Sequence, residues 1–327
     1  NGTSATRVGT FINTLSSIVS SGTGHSSGTI TITGSTSASN DAGLSVIGSS
    51  SSETTLIQSA AGDIALTGTS NGQDGLRLLA NSEIHATGNS NIFLSGNTTG
   101  SGNGIEIHSN LLSEAGDVSL LSSRRIEFFS AGAITSTGGA ITVDSGTADF
   151  IMADTAKISA GSGLIDIHAD TDVTVGSLQT TGNVQIESQF GGILDGGDTS
   201  VDITAANLMM TAADGIGSNV NSIETAVDTM RATLSGGGLF VDEIDGMIVH
   251  TVSVVANENV SISTGDGQLE LAANESIATG GTGAIVLQST RNILIPFGSS
   301  VSTVDGDLTL IANASGSTGG SFSGIRV

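Results

Sequence analysis

The sequence predicts an all-β fold, a right-handed parallel β-helix (β-solenoid) of about 15 coils with roughly 20–23 residues in each coil. Three observations lead to this prediction. Short blocks of alternating aliphatic and polar residues recur along the chain, Gly, Asn or Asp turns separate them, and charged residues make up only 12% of the 327 residues. Ser, Thr, Gly and Asn replace the missing charge, as expected for short strands joined by tight turns.

The recurring block is a turn residue followed by four or five residues of alternating hydrophobicity. Examples lie at 62–66, 104–107, 139–143, 163–167 and 283–287. Alternation of period two means that each strand buries one face. Ile64, Ile84, Ile105 and Ile126 are 20, 21 and 21 residues apart, which suggests the coil length.

Coiling is the arrangement that satisfies such strands, because the sequence has no helix long enough to cover a sheet. Stacked coils place inward Ile, Val and Leu in continuous columns and pair every strand except those at the two ends. At roughly 4.8 Å per coil the result is a rod of about 70 Å. Right-handed winding follows from the chirality of parallel crossovers.

Two stretches fit this pattern less well. Residues 11–19 and 223–234 place aliphatic side chains at helical spacing, so a short helix is the alternative at each. We expect 1–327 to be a single continuous solenoid segment cut from a longer chain. Within it, residues 1–24 are expected to be irregular or a cap, and 218–238 an insertion in a wider coil.

Charge excludes two classes of partner. The chain carries 31 acidic and 8 basic residues, a formal charge of −23, and Lys157 is its single lysine. Nucleic acid requires clustered Lys and Arg, so we expect no nucleic-acid binding. No apolar run approaches the ~20 residues that span a bilayer, so we expect no membrane insertion. The absence of Cys excludes disulfides and thiolate metal sites.

Few residues suggest chemistry. Gly24–Gly28 matches the G-x-S-x-G pattern of a serine hydrolase, but a strand follows Ser26 where that chemistry needs a helix, so we attribute the match to chance. Asp195, Asp198 and Asp202 could form a carboxylate cluster, although Asp is also a common turn residue. We therefore predict no catalytic, cofactor-binding or metal-binding residues and no cofactor, with weak calcium binding at the acidic surface left open.

Residues 178–245 resemble the filamentous-haemagglutinin-like β-solenoid repeats of giant secreted bacterial surface proteins. The landmarks are GGILDGG, ITAANLMMTAADGIGS and IETAVDTMRATLSGGGLFV, and the blocks GDIALTG, NSEIHATG and NSNIFLSG resemble the shorter coils of the same proteins. The resemblance plausibly covers nearly the whole chain. It implies export and a long rod that carries adhesive or ligand-binding parts, and it supplies no catalytic residues.

The expected function is thus structural or adhesive: an extracellular, cell-surface solenoid that forms the shaft of a giant bacterial protein and is not an enzyme. Its expected partners are other segments of the same protein, neighbouring copies, and host or cell-surface glycans or proteins. The alternative is a subunit of a self-assembling extracellular filament. A polysaccharide-degrading β-helix enzyme is the third hypothesis, which one Lys and the absence of Trp and Tyr oppose.

Overall fold

A computed structural model describes residues 2–4, 9–13, 16–21, 28–197, 199–314 and 322–327. Every regular element among these residues is a β-strand, and the strands form a parallel β-solenoid, as predicted. None of the described residues forms a helix long and apolar enough to cross a membrane. The chain divides into two compact units, Asn1–Gly182 and Asn183–Val327, which we describe in turn.

The first unit is built from short strands that follow one another in threes. In chain order they are β1 (Gly2–Ser4), β2 (Thr10–Asn13), β3 (Ser17–Ser20), β4 (Ile30–Thr36), β5 (Leu44–Ile47), β6 (Thr55–Ser59), β7 (Ile64–Ser70), β8 (Leu76–Leu78), β9 (Ser82–Ala86), β10 (Ile92–Thr98), β11 (Ile105–Ile107), β12 (Asn110–Ser113), β13 (Val118–Ser122), β14 (Ile126–Phe128), β15 (Ala133–Ser136), β16 (Ile141–Asp144), β17 (Phe150–Met152), β18 (Lys157–Ser159), β19 (Ile165–Ala169), β20 (Val173–Val175) and β21 (Ser177–Gln179).

Each strand of the first unit pairs in parallel with the strand three places further along the chain. Every coil therefore contributes one strand to each of three faces. Along the face that contains β4, β7 and β10, Ile30, Ile64 and Ile92 lie in register. The same column continues through Val118 and Ile141. These aliphatic side chains are buried, because alternation turns every second residue of a strand inward.

The second unit starts with longer strands and then returns to short ones. In chain order they are β22 (Asn183–Ser188), β23 (Ile193–Asp195), β24 (Ile203–Ala212), β25 (Ile223–Leu234), β26 (Leu239–Glu243), β27 (Met247–Ser253), β28 (Val260–Thr264), β29 (Leu269–Leu271), β30 (Ser276–Ala278), β31 (Ile285–Ser289), β32 (Ile293–Leu294), β33 (Ser300–Ser302), β34 (Leu308–Ile311) and β35 (Ile325–Arg326).

Parallel pairing also orders the second unit. β22, β24 and β25 stack along one face, where Val184, Leu208 and Met230 are in register. β26, β28, β31 and β34 form another column. The pairing of β25 with β27 shifts register between Met230 and Ala232, a bulge within the ladder. The long strands at 203–212 and 223–234 each span two of the faces that separate strands occupy elsewhere.

The coils are longer and fewer than expected. The strands make about 11 turns rather than roughly 15. Register partners Ile30 and Ile64 are 34 residues apart, whereas Ile105 and Ile126 keep the expected 21. Ile64 and Ile84 do not mark successive coils at all, because they lie in β7 and β9, on two faces of the same coil. The hand of the winding stays a prediction.

The helical alternatives at the two apolar stretches are wrong. β2 and β3 occupy the described residues of 11–19; Leu15 lies outside the described residues. The stretch 223–234 is the 12-residue strand β25. Within the range 218–238 a tight turn precedes this strand, in which the Ser218 amide donates to the Asn221 carbonyl at 2.7 Å. β-Branched side chains in both stretches favour strand over helix.

Hydroxyl side chains close the corners between faces. Many strands end on an inward Ser or Thr, and these corner hydroxyls bond the turn that follows. Ser113 Oγ donates to the Gly116 carbonyl at 2.8 Å, and the Gly139 amide donates to Ser136 Oγ at 2.9 Å. Each hydroxyl therefore satisfies turn backbone groups that no ladder reaches. Other corner hydroxyls are Ser59, Ser70, Thr98, Ser122, Thr180, Ser188, Thr264 and Ser289.

Candidate functional site

A cluster of three carboxylates is the densest group of titratable side chains in the second unit. Asp195 ends β23, Asp202 lies just before β24, and Glu224 is the second residue of β25. Each supplies a carboxylate oxygen within 4.8 Å of the others. Asp195 and Asp202 are buried, with 8% and 5% of their surface exposed.

Backbone bonds hold the cluster in place. The Asp202 amide donates to the Glu224 carbonyl at 2.9 Å, and the Glu224 amide donates to Asp202 Oδ2 at 3.0 Å. On the other side, the Gly197 amide donates to Asp195 Oδ1 at 3.0 Å. Gly197 has φ 118°, a left-handed conformation that Gly adopts without strain. The turn therefore positions Asp195 through its own backbone.

Burial raises the pKa values of the cluster. It raises the pKa of Asp202 to about 9, and the carboxylates of Asp195 and Glu224 add to the rise, against the bond from the Glu224 amide. Burial likewise raises the pKa of Glu224, with repulsion from Asp195 as the second cause. Asp202 therefore keeps its proton at neutral pH and shares a hydrogen bond with the Glu224 side chain.

The structure brings together two of the three carboxylates that the sequence suggested. Asp195 and Asp202 meet, and Asp198 lies outside the described residues. Glu224 was missed, although it stands 22 residues after Asp202, about one coil away. Carboxylate oxygens are calcium ligands, and these three groups could offer them. A cluster of carboxylates does not by itself identify a cation site, so we assign no metal to it.

Glu243, the last residue of β26, is a second buried acid that the sequence did not suggest. It is 2% exposed. Its Oε2 accepts hydrogen bonds from Thr225 Oγ1 at 2.8 Å and from the Val227 amide at 3.0 Å. Its Oε1 accepts a bond from the Asp245 amide at 3.3 Å. Burial is the main cause that raises the pKa of Glu243 to about 8.

A shallow groove of about 280 Å³ lies on the outer surface of the second unit. Asn183, Asn207 and Thr229 stack in register along it. Asn207 Nδ2 donates to Asn183 Oδ1 at 2.7 Å, and Thr229 Oγ1 donates to Asn207 Oδ1 at 2.7 Å. The next outward row contains Met209, which is 42% exposed, and Arg231. The groove thus combines an ordered polar ladder with an apolar side chain.

A charged network links two coils of the first unit. Arg77 Nε lies 3.2 Å from Asp74 Oδ2 and 3.0 Å from Glu106 Oε2. His108 Nε2 lies 2.6 Å from Glu106 Oε1, and its ring stacks on Phe129. Burial raises the pKa of Asp74 to about 6, whereas His108 and Arg77 hold the pKa of Glu106 below its usual value despite its burial. Opposite charges here neutralise one another between stacked strands.

The remaining motif gives no site that can be described. Of Gly24–Gly28, residues 24–27 lie outside the described residues, so the chance match at Ser26 stays a prediction. Comparisons with known proteins add no further candidate. No family model matches the chain, and no curated protein or solved structure matches it. What is shown is therefore the parallel β-solenoid fold and the local geometry of these residues.

Proposed function

We propose that this chain is a structural and adhesive segment of an extracellular bacterial surface protein of the filamentous-haemagglutinin-like kind. The observation that carries the proposal is the in-register stacking of parallel strands through most of the described residues. Stacking of this kind distributes stability over many similar coil-to-coil interfaces. A segment that bears load or displays surfaces needs that property more than it needs one deep pocket.

The outward residues support the adhesive part of the proposal. The ladder of Asn183, Asn207 and Thr229 presents hydrogen-bonding groups at the spacing of the strands. Beside it, Arg231 pairs with Glu275 at 3.0 Å, so charged and apolar groups line the same shallow surface. Shallow, ordered polar surfaces suit contact with glycans or proteins over several coils. Other segments of the parent protein and neighbouring copies are the further partners that we propose.

The acidic cluster offers little support to the carbohydrase alternative. A polysaccharide lyase needs a basic side chain next to its carboxylates, and Asp202 instead keeps its own proton at neutral pH. Among the described residues of the second unit, Arg231 and Arg291 pair with Glu275 and Asp266. We therefore propose no catalysis.

Binding to surfaces tests the proposal. Purified 1–327 would be applied to glycan arrays and to immobilised cell surfaces, with Ile165→Asp as an unfolded control. Saturable binding that the control loses would support an adhesive role. The same preparations would be screened for turnover of acidic polysaccharides with and without calcium. Turnover would overturn the proposal in favour of an enzyme.

Electron microscopy of the same protein tests the structural part. Discrete particles at all concentrations, without binding and without turnover, would support a purely structural segment. Concentration-dependent fibres would favour the alternative, a subunit of a self-assembling filament.

A further inference from the structure

The ladder on one side of β25 has a gap. β26 pairs with β25 over Ile223–Thr225, and the pairing of β27 with β25 begins at Thr229. The Val227 amide falls between the two pairings. It donates to Glu243 Oε2 at 3.0 Å, so a side-chain carboxyl replaces the backbone acceptor that neither strand supplies.

Neutral donors and acidic groups surround this carboxyl. Thr225 Oγ1 and the amides of Val227 and Asp245 donate to Glu243, and the Asp245 side chain also bonds it. Asp242 precedes it on β26. Among the described residues of this unit, Arg231, His250 and Arg291 pair with Glu275 and Asp266 instead. A buried carboxylate without a cation is costly, so the folded state favours the neutral acid.

A second carboxyl holds the same strand from the opposite side. Asp202 Oδ2 accepts the Glu224 amide at 3.0 Å, and the charged groups that face Asp202 are Asp195 and Glu224, both acidic. Asp242 faces Glu224 in turn. Residues 223–227 therefore lie between two buried carboxyls, each bonded to an amide of β25. Ionisation of either one places uncompensated negative charge against this strand.

We propose that residues 223–227 are a pH-gated segment, which Glu243 and Asp202 hold in the solenoid while they are protonated and release when they lose their protons to solvent. The gate goes beyond the structural and adhesive role proposed above and does not depend on it. Its geometric basis is the gap in the ladder and the two carboxyls that bracket the strand.

The direction of the pH effect follows from linkage. Burial raises the pKa of Glu243 to about 8 and that of Asp202 to about 9, above their ordinary unfolded values. Their stabilising contribution is complete below about pH 4, the unfolded range, and is lost as the pH rises through the folded values. Between these limits the opening equilibrium of the segment should rise by up to about tenfold per pH unit for each group.

Amide hydrogen exchange measured by NMR tests the gate. Exchange of the Val227 and Glu224 amides, corrected for intrinsic rates, would be followed from about pH 5 to about pH 8, the window set by the raised values. Amides of Ile262 and Leu287, in strands β28 and β31, are internal references. We expect protection at Val227 and Glu224 to fall with pH while the references change little.

Two variants separate the carboxyls. In Glu243→Gln the amide oxygen still accepts from Val227 but cannot ionise, so the pH dependence at Val227 should flatten. Asp202→Asn should flatten it at Glu224. Glu187→Gln, an exposed site on β22, is the matched control and should keep the wild-type slopes.

Two results would overturn the gate. One is a wild-type slope at Val227 and Glu224 equal to that of the reference amides, which needs no variant. The other is a folded Glu243→Gln protein, as judged by its reference amides, that retains the full slope at Val227.

Discussion

Single side chains in the aliphatic columns carry much of the stability of each unit. Ile165 lies in β19 with no exposed surface and stacks on Ile141 of β16. We predict that Ile165→Asp destabilises the protein by several kcal/mol or prevents folding, because it buries an unpaired charge. Urea denaturation followed by circular dichroism measures the change.

Thr142→Asp is the matched control, since Thr142 is exposed on the strand next to Ile165. It should change the free energy of unfolding by less than about 0.5 kcal/mol. Similar losses in the two variants would contradict the inward placement of Ile165.

Asp202 makes stability depend on pH in a direction opposite to that of an ion-paired acid. Its pKa is raised to about 9, so the folded state holds a proton that the unfolded state releases above about pH 4. Stability from this group falls as pH rises between these values. We predict that Asp202→Asn raises the free energy of unfolding by about 1 to 3 kcal/mol at pH 8 and changes it little near pH 4. Urea denaturation at both pH values measures this.

Asp228→Asn is the control for that prediction, because Asp228 is an exposed carboxylate on β25. Its effect should be small at both pH values. An Asp202→Asn protein that is less stable than wild type at pH 8 would mean that the charged form of Asp202 is the stabilising one.

At the scale of elements, close approach between strands and the next corner fixes some positions as Gly. Gly34, Gly68 and Gly96 are in register on β4, β7 and β10. A Cβ at Gly68 would overlap the carbonyl oxygen of Gly75, which is backbone and cannot move aside cheaply. We predict that Gly68→Ala costs about 1 to 3 kcal/mol. Thermal unfolding measures the loss.

Gly138→Ala is the control, because the nearest atom to its added Cβ is Ser162 Oγ at 3.9 Å. A Gly-to-Ala change without a clash should be neutral or stabilise by about 0.4–1 kcal/mol through the unfolded chain. Equal destabilisation by both changes would contradict the steric account.

Strand alternation and turn residues predicted the element type from the sequence, but not the coil length. Ile105 and Ile126 are true register partners, so the 21-residue interval was correct there. Ile64 and Ile84 gave nearly the same interval for a different reason, since one coil places them on two faces. Sequence spacing cannot separate neighbours in the stack from neighbours around the coil, because both recur after similar numbers of residues.

The carboxylates show a second limit. Asp195 and Asp202 were visible as an acidic turn, yet Glu224 and Glu243 sit in strands whose partners depend on register. Glu243 is an inward residue of β26, where a local pattern predicts an aliphatic side chain. Only the gap in the pairing of β25 explains why an acid is placed there. That gap is a property of the stacked coils and not of any short segment.

At the scale of the whole molecule, like charge opposes folding and association. The formal charge is −23 at pH 7. Mutual repulsion weakens as added salt shortens the screening length. We predict that the melting temperature rises between about 10 mM and about 0.5 M NaCl at pH 7. Differential scanning calorimetry measures it. A melting temperature that falls would show that the ion pairs outweigh the net repulsion.

The corner hydroxyls have a consequence for how such a chain can change in evolution. Ser59, Ser113 and Ser136 bond their own turns, so each corner is closed locally whatever its length. Insertions and deletions at a corner can then leave the flanking columns aligned, which fits register intervals that vary from 34 residues at Ile30 to 21 at Ile105. Length drift of this kind erases a fixed sequence repeat while the stacked strands persist. Corners are accordingly the places where a foreign peptide could be inserted at the least cost to the solenoid.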